Sequence, residues 1–520
     1  MIRDLAAASE NQTREADFLV VGAGTVGLLI AVLLSRKGSH VVVVESGDEQ
    51  QAEDRHPLNE VVQLGETYHG AEDGRFRCLG GTSTRWGGAL IPFMPQDFDV
   101  AAGWDARWPV HVEAFTQYAR QIERIFDLTE TPYEIPELLR SAAGANAAFV
   151  PRLAKWPPFA NRNIATLLRR EIERESGPEI WLGATVCEFS LEPSGRLRSV
   201  AAKSLNGRRL SIKPRQVVFA AGAIESTRLL LLVDRQHDDR LFEPHGILGR
   251  YFYDHLSVPT SRVFVRDARR LNQITGFQFE GKTMRNLRFE PSFELRKQHG
   301  LPTGFAHVSF VSESPSGFDA LRSILRGRQE GKLPSVRDVT LLASSVPWLA
   351  SALWWRVVEK RLLFPPRSTH HLHMVVEQEP LARNRIALSS DRADVFGSPL
   401  ATIDWRVGET AAQHSIALTK HFLQFWANSV LAPLAQLEIE PTPKVIDGLK
   451  SGGGIYHPGG STRMGRSSSE AVVDENLRTF AVPNLNVLAT SVFPTGGGAN
   501  PTMMLLMAAF RLADRLVGPR

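Results

Sequence analysis

Apolar runs separated by a glycine-rich turn fill the beginning of the chain. Residues 18–21 are apolar with β-branched character, residues 28–34 have the apolar spacing of a helix, and residues 41–44 are apolar throughout. This pattern predicts a strand, a turn, a helix and a second strand. Strands of such uniform apolarity belong in a parallel sheet that is covered on both faces. The chain is therefore predicted to begin with an α/β unit.

Three glycines, Gly22, Gly24 and Gly27, lie in the turn of this unit. The first permits a tight turn, the second lets the backbone approach a pyrophosphate, and the third lets the helix pack closely on the strand. The helix amino terminus would then face the phosphates. Glu45 ends the second strand, where a carboxylate would accept a hydrogen bond from a ribose 2′-OH. The unit is predicted to bind a dinucleotide, and these residues leave both NAD and FAD open.

A second glycine cluster lies in residues 77–99, which have neither helical nor strand periodicity until their end. Gly81, Gly87 and Gly88 would let backbone N–H groups come close to a ligand, and Trp86 would supply a flat apolar wall. A plain surface loop is the alternative interpretation.

Bulk properties narrow the class of protein. The chain has 520 residues, 43% of them hydrophobic, and is predicted to divide into two or three structural units. Its formal charge is +4 without long charged runs, so no nucleic-acid footprint is indicated. With only Cys78 and Cys187, a disulfide framework and a thiolate metal cluster are excluded. The polar first residues lack the pattern of a secretory signal, which predicts a cytoplasmic protein.

One apolar segment, residues 339–358, is about long enough to cross a bilayer. It contains a single charge, Arg356, but also Pro347 and several hydroxyl residues, and charged residues flank it at both ends. We expect a buried or lid-forming helical segment here rather than contact with a membrane surface or a partner, or a true span.

Further motifs extend over nearly the whole chain, and together they resemble the glucose-methanol-choline (GMC) oxidoreductases, a family of FAD enzymes that oxidise alcohols. They are VVGAGTVG, GGTSTRWGG, VVFAAGAIES, LGRYFYDH, YHPGGSTRMG and NPTMMLLMAAF. The resemblance implies an α/β fold with an α+β second domain. It places a discontinuous Rossmann-like FAD-binding domain at 14–105, 165–256 and 453–518. A substrate-binding domain on an antiparallel sheet would comprise 106–164 and 257–452, with a helical insertion around 317–365.

The resemblance implies FAD rather than NAD. A strand reaching Ala220, followed by Gly222 and a helix, would bring a second backbone segment to the same dinucleotide, although Glu225 or Ser226 could simply cap that helix. Arg85 stands where some relatives attach flavin covalently to a histidine, which predicts non-covalent FAD. The predicted cofactor-binding residues are Gly22, Gly24, Thr25, Gly27, Glu45, Ser46, Gly81, Thr82, Trp86, Gly87, Gly88, Val186, Ala221, Gly222, Ser491, Asn500, Pro501 and Thr502.

The family motifs also imply the catalytic residues. His457, in YHPGG, matches the family's proton acceptor, and Asn500 matches its partner. An imidazole, whose ordinary pKa is about 6.5, can take the hydroxyl proton that must leave when hydride moves from an alcohol carbon. An amide can orient the oxygen. Asn500 and Pro501 are predicted to be the N-cap and the first residue of a helix that runs to about Leu516.

We therefore predict FAD-dependent oxidation of an alcohol, with a sugar or glycoside first because the STRW loop resembles the pyranose-oxidase branch. A non-redox lyase, a flavoprotein that keeps FAD for structure only, and oxidation of a sterol or simple alcohol are the alternatives. Oxygen, a quinone or a redox protein could accept the electrons, and an oligomer is compatible with the sequence. No metal is predicted, because His371 and His373 lack an acidic partner at metal-ligand spacing. His255 is interpreted as structural or peripheral to FAD.

Overall fold

Two large sheets organise the chain in the computed structural model, which describes residues 1–50, 55–99, 102–134, 148–242, 246–313, 315–330, 332–365, 367–498 and 500–518. The strands are β1 (Ile2–Asp4), β2 (Gln12–Val21), β3 (Val41–Val44), β4 (Val61–Gly65), β5 (Phe149–Trp156), β6 (Glu179–Leu182), β7 (Thr185–Leu191), β8 (Leu197–Lys203), β9 (Arg209–Phe219), β10 (His255–Val265), β11 (Gln278–Glu280), β12 (Thr283–Pro291), β13 (Gly304–Ser312), β14 (Ser368–Glu377), β15 (Arg385–Ala393), β16 (Pro399–Trp405), β17 (Ala435–Ile439) and β18 (Leu485–Val487).

The α-helices within the described residues range from one turn to five turns in length. They are α1 (Thr25–Arg36), α2 (Glu113–Thr116), α3 (Ala119–Ile125), α4 (Ile164–Leu167), α5 (Arg169–Ile172), α6 (Gly222–Arg235), α7 (Ala268–Thr275), α8 (Phe293–His299), α9 (Gly317–Glu330), α10 (Val336–Ser344), α11 (Val346–Trp354), α12 (Glu409–Ala427), α13 (Thr442–Ser451) and α14 (Thr502–Val517).

The first sheet has the order β1-β6-β3-β2-β9-β8-β7, and β18 also pairs with β9. The strands from β1 to β9 in this order are parallel, as is β18, while β7, β8 and β9 form an antiparallel ribbon. The side chains of β3 are at most 1% exposed, as expected for a strand covered on both faces. The predicted strand, turn, helix and strand at the start of the chain are confirmed.

The second sheet is antiparallel, with the order β11-β12-β13-β14-β10-β17 and with β5 on β12. One face packs on α12, whose Leu418, Phe422 and Trp426 join a separate hydrophobic core. A Rossmann-like sheet and a second, antiparallel sheet agree with the predicted fold class. The residue boundaries of the two domains stay a prediction.

The apolar segment 339–358 is helical but not buried, so that part of the expectation is wrong. It forms α10, α11 and a π-helical turn at Trp355–Glu359, and none of these elements contains a buried residue. Pro347 lies in the first turn of α11, where its missing N–H costs nothing, and it separates the two helices. The two helical segments, Val336–Ser344 and Val346–Glu359, meet at 77°. No single helix among the described residues has the length and apolarity of a membrane span, although this bent pair reaches them jointly.

The last helix begins one residue later than predicted. Thr502 is the first helical residue of α14, and Pro501 occupies the N-cap position without a capping side chain. The prediction that Asn500 caps this helix is therefore wrong. The Asn500 amide is free of that role and reaches a histidine instead.

Candidate active site

Three glycine-containing turns meet at the end of the first sheet. Gly22 has a φ of +103°, and a Cβ there would lie 2.7 Å from the Ala220 carbonyl oxygen. A Cβ on Gly81 would lie 2.7 Å from the Gly24 Cα. The Gly80 N–H donates to the Ala23 carbonyl at 2.9 Å. The turns that the sequence assigns to the cofactor are therefore packed backbone against backbone, which side chains would prevent.

The surroundings of α1 fit a dinucleotide. Its first turn has no capping side chain and no acidic residue, so the N–H groups of that turn remain available to a phosphate. At the end of β3, Glu45 accepts from the N–H groups of Ala23 and Gly47, each at 2.9 Å. Burial raises the pKa of Glu45 above its ordinary value. A buried carboxylate is thus held beside the glycine turn, where the sequence places the ribose contact.

The predicted loop residues lie around these turns. Ser46 accepts from Arg77 at 2.8 Å, and Trp86 donates from its indole to the Arg162 carbonyl at 2.8 Å. A Cβ on Gly87 would lie 3.1 Å from the Trp156 ring, and Gly88 has a φ of +92°. Of the remaining members, Thr82 is exposed, Thr25 and Thr502 are partly buried, and Val186 and Ser491 are buried.

The sequence leaves two roles open at the start of α6: a backbone segment that approaches the cofactor, or a helix start capped by Glu225 or Ser226. Gly222 has a φ of +78°, and a Cβ there would meet no atom within 4 Å, so the backbone faces open space. Ser226 accepts from the Ala221 N–H at 3.1 Å, but no side chain caps this helix. Glu225 is not a cap, since it pairs with Arg77 at 2.7 Å and with Arg228 at 3.0 Å. The turn is stabilised by Ser226 while Gly222 leaves room beside it.

His457 and Asn500 come together although 43 residues separate them. The Asn500 Nδ2 lies 3.1 Å from the His457 Nε2, and both side chains are only partly buried. The loop that follows His457 is fixed by Thr490, whose hydroxyl donates to the Pro458 carbonyl at 2.6 Å. Farther along, the Thr462 hydroxyl donates to Ser491 at 2.6 Å. An imidazole and an amide thus face one partly accessible space, as the catalytic prediction requires.

Arg288, on β12, determines how the amide is turned. Its guanidinium donates to the Asn500 Oδ1 at 3.2 Å and also to the Gly498 carbonyl. Because arginine can only donate, Oδ1 must face it and Nδ2 must face His457. The His457 Nε2 then accepts, so its lone pair points into the site and the ring proton lies on Nδ1. Arg288 therefore selects the basic form of the nitrogen that faces Asn500.

The charge of Arg288 is partly compensated inside the protein. Arg288 is 2% exposed, lies over the Phe305 ring at 3.9 Å and donates to Glu290 at 2.9 Å. Glu290 in turn accepts from Arg152 at 2.9 Å and 3.1 Å. A buried cation with a paired carboxylate is held rigidly, because each remaining donor is expensive to leave unpaired.

Asp254 and His255 support the loop from the other side. The Asp254 Oδ1 accepts from the N–H groups of His255 and His457 at 2.6 Å and 2.8 Å, and Tyr68 donates to its Oδ2 at 2.7 Å. Burial raises the Asp254 pKa to about 7. The His255 ring donates to the Gly497 carbonyl at 2.6 Å and lies 5.2 Å from the His457 ring, edge to face. His255 is thus a direct neighbour of the candidate base, closer than its interpretation as peripheral suggests.

Burial, together with His255 and the positive charge of Arg288, holds the pKa of His457 well below its ordinary value. The ring is therefore neutral at pH 7 and able to accept a proton. Burial likewise lowers the pKa of His255 to about 4. Both rings are therefore uncharged at pH 7, and the only proton that the pair must take up during turnover is the hydroxyl proton of the substrate.

A metal could find ligand atoms here, because those of Asp254, His255 and His457 lie within 4.8 Å of one another. The absence of a metal centre stays a prediction. His371 and His373 lie on β14, as predicted, and His373 stacks on His307 of β13 at 5.4 Å. The rings of His307 and His373 therefore face each other across neighbouring strands.

Known proteins resemble this chain in sequence and in fold. The sequence model described as GMC oxidoreductase matches residues 380–509. The chain is 21% identical to the fructose dehydrogenase large subunit of Gluconobacter japonicus over 98% of both chains. It is 22% identical to paromamine 6'-oxidase of Streptomyces fradiae over 98% of this chain and 93% of that protein. The fold matches the crystal structure of pyridoxine 4-oxidase from Mesorbium loti with a TM-score of 0.59 and 17% identity, covering 96% of this chain and 99% of that one.

Proposed function

Because the chain belongs to the GMC oxidoreductases, an FAD-dependent family, we propose that it oxidises the CH–OH group of a sugar or glycoside with His457 as the proton acceptor. The observation that carries this proposal is the contact between the His457 Nε2 and the Asn500 Nδ2 at 3.1 Å. The sugar class is supported by the full-length similarity to a fructose dehydrogenase subunit and to paromamine 6'-oxidase.

Bound FAD would supply the acceptor for the hydride, and the protein residues would handle the proton and the oxygen. The Asn500 Nδ2 donates to the His457 Nε2 lone pair in the structure, so the substrate hydroxyl would take the place of that donor and give its proton to Nε2. As the proton moves to His457, negative charge develops on the substrate oxygen. The Asn500 Nδ2 is the donor placed to stabilise that charge, without a charge of its own.

Arg288 would act through Asn500 rather than on the substrate. Its hydrogen bond to the amide Oδ1 makes the Nδ2 protons more available to an oxygen and keeps the amide from turning over. The positive charge of Arg288 also favours a neutral His457 before reaction. Arg288 thus orients the Asn500 amide and keeps His457 neutral, but the oxidation itself requires the flavin.

An anaerobic screen of flavin reduction against sugars, glycosides, sterols and simple alcohols tests the proposal. We expect bleaching of the flavin absorbance by a sugar or glycoside, and loss of this bleaching in His457→Ala with the yellow colour retained. Admission of air or of a quinone then identifies the electron acceptor. A reaction that proceeds with no flavin bleaching would instead support a non-redox lyase, and bleaching only by sterols or simple alcohols would overturn the sugar assignment.

The proposed attachment of FAD is non-covalent. Arg85, at the position where some relatives carry a flavin-linked histidine, pairs with Glu330 at 3.3 Å and lies over the Phe76 ring at 5.4 Å. A guanidinium offers no nucleophilic ring nitrogen to flavin. Acid precipitation should leave the yellow colour in the supernatant, and colour in the protein pellet would contradict the proposal.

A further inference from the structure

The bent helix pair, defined as residues 336–359, exposes an unusual amount of apolar surface. Eight of the twenty large hydrophobic side chains that are exposed among the described residues fall within residues 333–358. They include Leu333 at 92%, Val336 at 84% and Leu353 at 64% exposed. The others are Val339, Val346, Trp354, Val357 and Val358. An apolar surface of this size on one protrusion indicates a contact with something apolar.

The positive charge of the chain is concentrated around the same element. Residues 317–367 contain nine Arg and Lys residues against four Asp and Glu, a net of +5, whereas the whole chain is +4. The rest of the chain therefore carries a net charge of −1. Arg322, Arg326 and Arg328 on α9 and Arg337 on α10 are exposed, and within the described residues none of these four has an ion-pair partner. The element therefore presents unpaired cations next to apolar side chains.

From these two features we infer that the bent helix pair binds the surface of an anionic lipid bilayer. An interfacial helix buries its apolar side chains at the boundary between headgroups and acyl chains while Lys and Arg contact anionic headgroups. Trp348, Trp354 and Trp355 supply the aromatic residues that favour this boundary. Each helix has nine residues, far fewer than the about 20 needed to cross a bilayer, so the pair lies on the membrane.

Charge complementarity favours lipid over a second copy of this chain. The bent helix pair itself is neutral, but two copies that met through it would bring together two segments 317–367, each with a net charge of +5, whereas an anionic surface attracts each of them. The bent helix pair is joined to α9, where the Ser323 hydroxyl donates to Asp338 at 3.0 Å. At the end of α9, Gln329 donates to the carbonyls of Ser83 and Trp86, each at 3.2 Å, and Glu330 pairs with Arg85 at 3.3 Å. A bilayer held by this element would lie near the loop predicted to bind the cofactor.

Vesicle flotation of the purified holoprotein tests the inference. We expect it to float with vesicles made of equal parts phosphatidylcholine and phosphatidylglycerol, and to stay at the bottom with phosphatidylcholine alone. The triple variant Leu353→Ser, Trp354→Ser and Val357→Ser should lose flotation. Its control, Leu205→Ser with Val395→Ser, removes two side chains that are 77% and 66% exposed elsewhere and should float normally.

A second pair of variants isolates the charge. Replacing Arg322, Arg326 and Arg337 by Gln should weaken vesicle binding about 100-fold at low salt, since each cation near an anionic surface contributes about a fivefold factor. The matched variant replaces Arg198, Lys213 and Arg215, which are exposed on the first sheet, and should bind as the parent protein does. Flavin content and thermal unfolding show whether each variant is folded.

Three outcomes would overturn the inference. One is failure of the holoprotein to bind either kind of vesicle. Another is equal binding by the two charge variants, which would show that only net charge matters. The third is a protein that elutes as an oligomer, becomes monomeric in the triple serine variant and never floats; the bent helix pair would then be a protein contact.

Discussion

Replacing Asn500 by Asp tests most directly how the base is kept neutral. The substitution preserves the oxygen that accepts from Arg288 at 3.2 Å but replaces the Nδ2 donor, 3.1 Å from the His457 Nε2, by a carboxylate oxygen. An anion within about 4–6 Å of an imidazole raises its pKa by about 1–3 units. Arg288 would neutralise part of the new charge, so we expect a rise near the lower end of that range.

The consequence is a shift of the pH profile rather than a uniform loss. In the wild-type protein, burial, His255 and Arg288 keep the pKa of His457 well below its ordinary value, so the base is available at neutral pH. In Asn500→Asp, protonated His457 would persist to higher pH. Below the new pKa the rate should fall about tenfold for each pH unit, and it should recover as pH rises.

The assay is the rate of anaerobic flavin reduction by the substrate found in the screen, measured from about pH 5 to about pH 9 around the ordinary histidine pKa. Asn500→Ala is the control, because it removes the donor without adding a charge. In Asn500→Ala the rate of flavin reduction should be lower at every pH, but the pH below which the rate falls should not rise. Identical profile shapes for Asp and Ala at position 500 would refute the idea that this residue sets the protonation of His457.

Three other substitutions test Arg288, the glycine turn at Gly22 and the buried acid Glu377. Arg288→Lys keeps the charge but loses the fork that holds the Asn500 amide, so kcat should fall about 10- to 100-fold with little change in KM; an equal effect on both would indicate a role in substrate binding. Gly22→Ala should abolish FAD retention, whereas Gly38→Ala, with a similar φ of +89° but no atom within 4 Å, should keep it; loss in both would point to backbone strain alone. Burial raises the pKa of Glu377 from 4.5 to about 7, so the stability this group contributes is fully present below pH 4.5 and is lost as pH rises through 7. Glu377→Gln should therefore gain about 3 kcal/mol over the wild type between pH 4.5 and pH 8 in denaturant titrations, and a constant difference would contradict this reasoning.

Local patterns sufficed for the cofactor half of the molecule. The strand at 41–44 and the helix that follows Gly24 are recognisable from their own hydrophobic patterns, and both lie where those patterns predict them. The 3.1 Å contact between His457 and Asn500 was anticipated through the family motifs. Secondary-structure propensity alone could not predict this contact, because it joins His457 in a loop to Asn500, which lies directly before the N-cap of α14.

The bent helix pair shows where pattern reasoning fails. Residues 339–358 are apolar enough for a core, and apolarity alone predicts burial. What the pattern cannot show is whether any other element has a complementary apolar face to cover it. None of the described elements buries a residue of α10 or α11, and the cations that surround them are distributed over 317–367 rather than in one run. The exposure of this segment is a tertiary fact, although the excess of Arg and Lys over residues 317–367 is visible in the sequence.

Arg288 was missed for a different reason. It lies outside the motifs that carry the family resemblance, and one arginine among 60 basic residues gives no signal of its own. Its position follows from strand register: β12 pairs with β5, which places Arg288 opposite Arg152. The two guanidinium groups then share Glu290, and this neutralises enough charge for one arginine to be buried beside the base. Only the register of two strands that are more than a hundred residues apart brings a cation to the amide that faces His457.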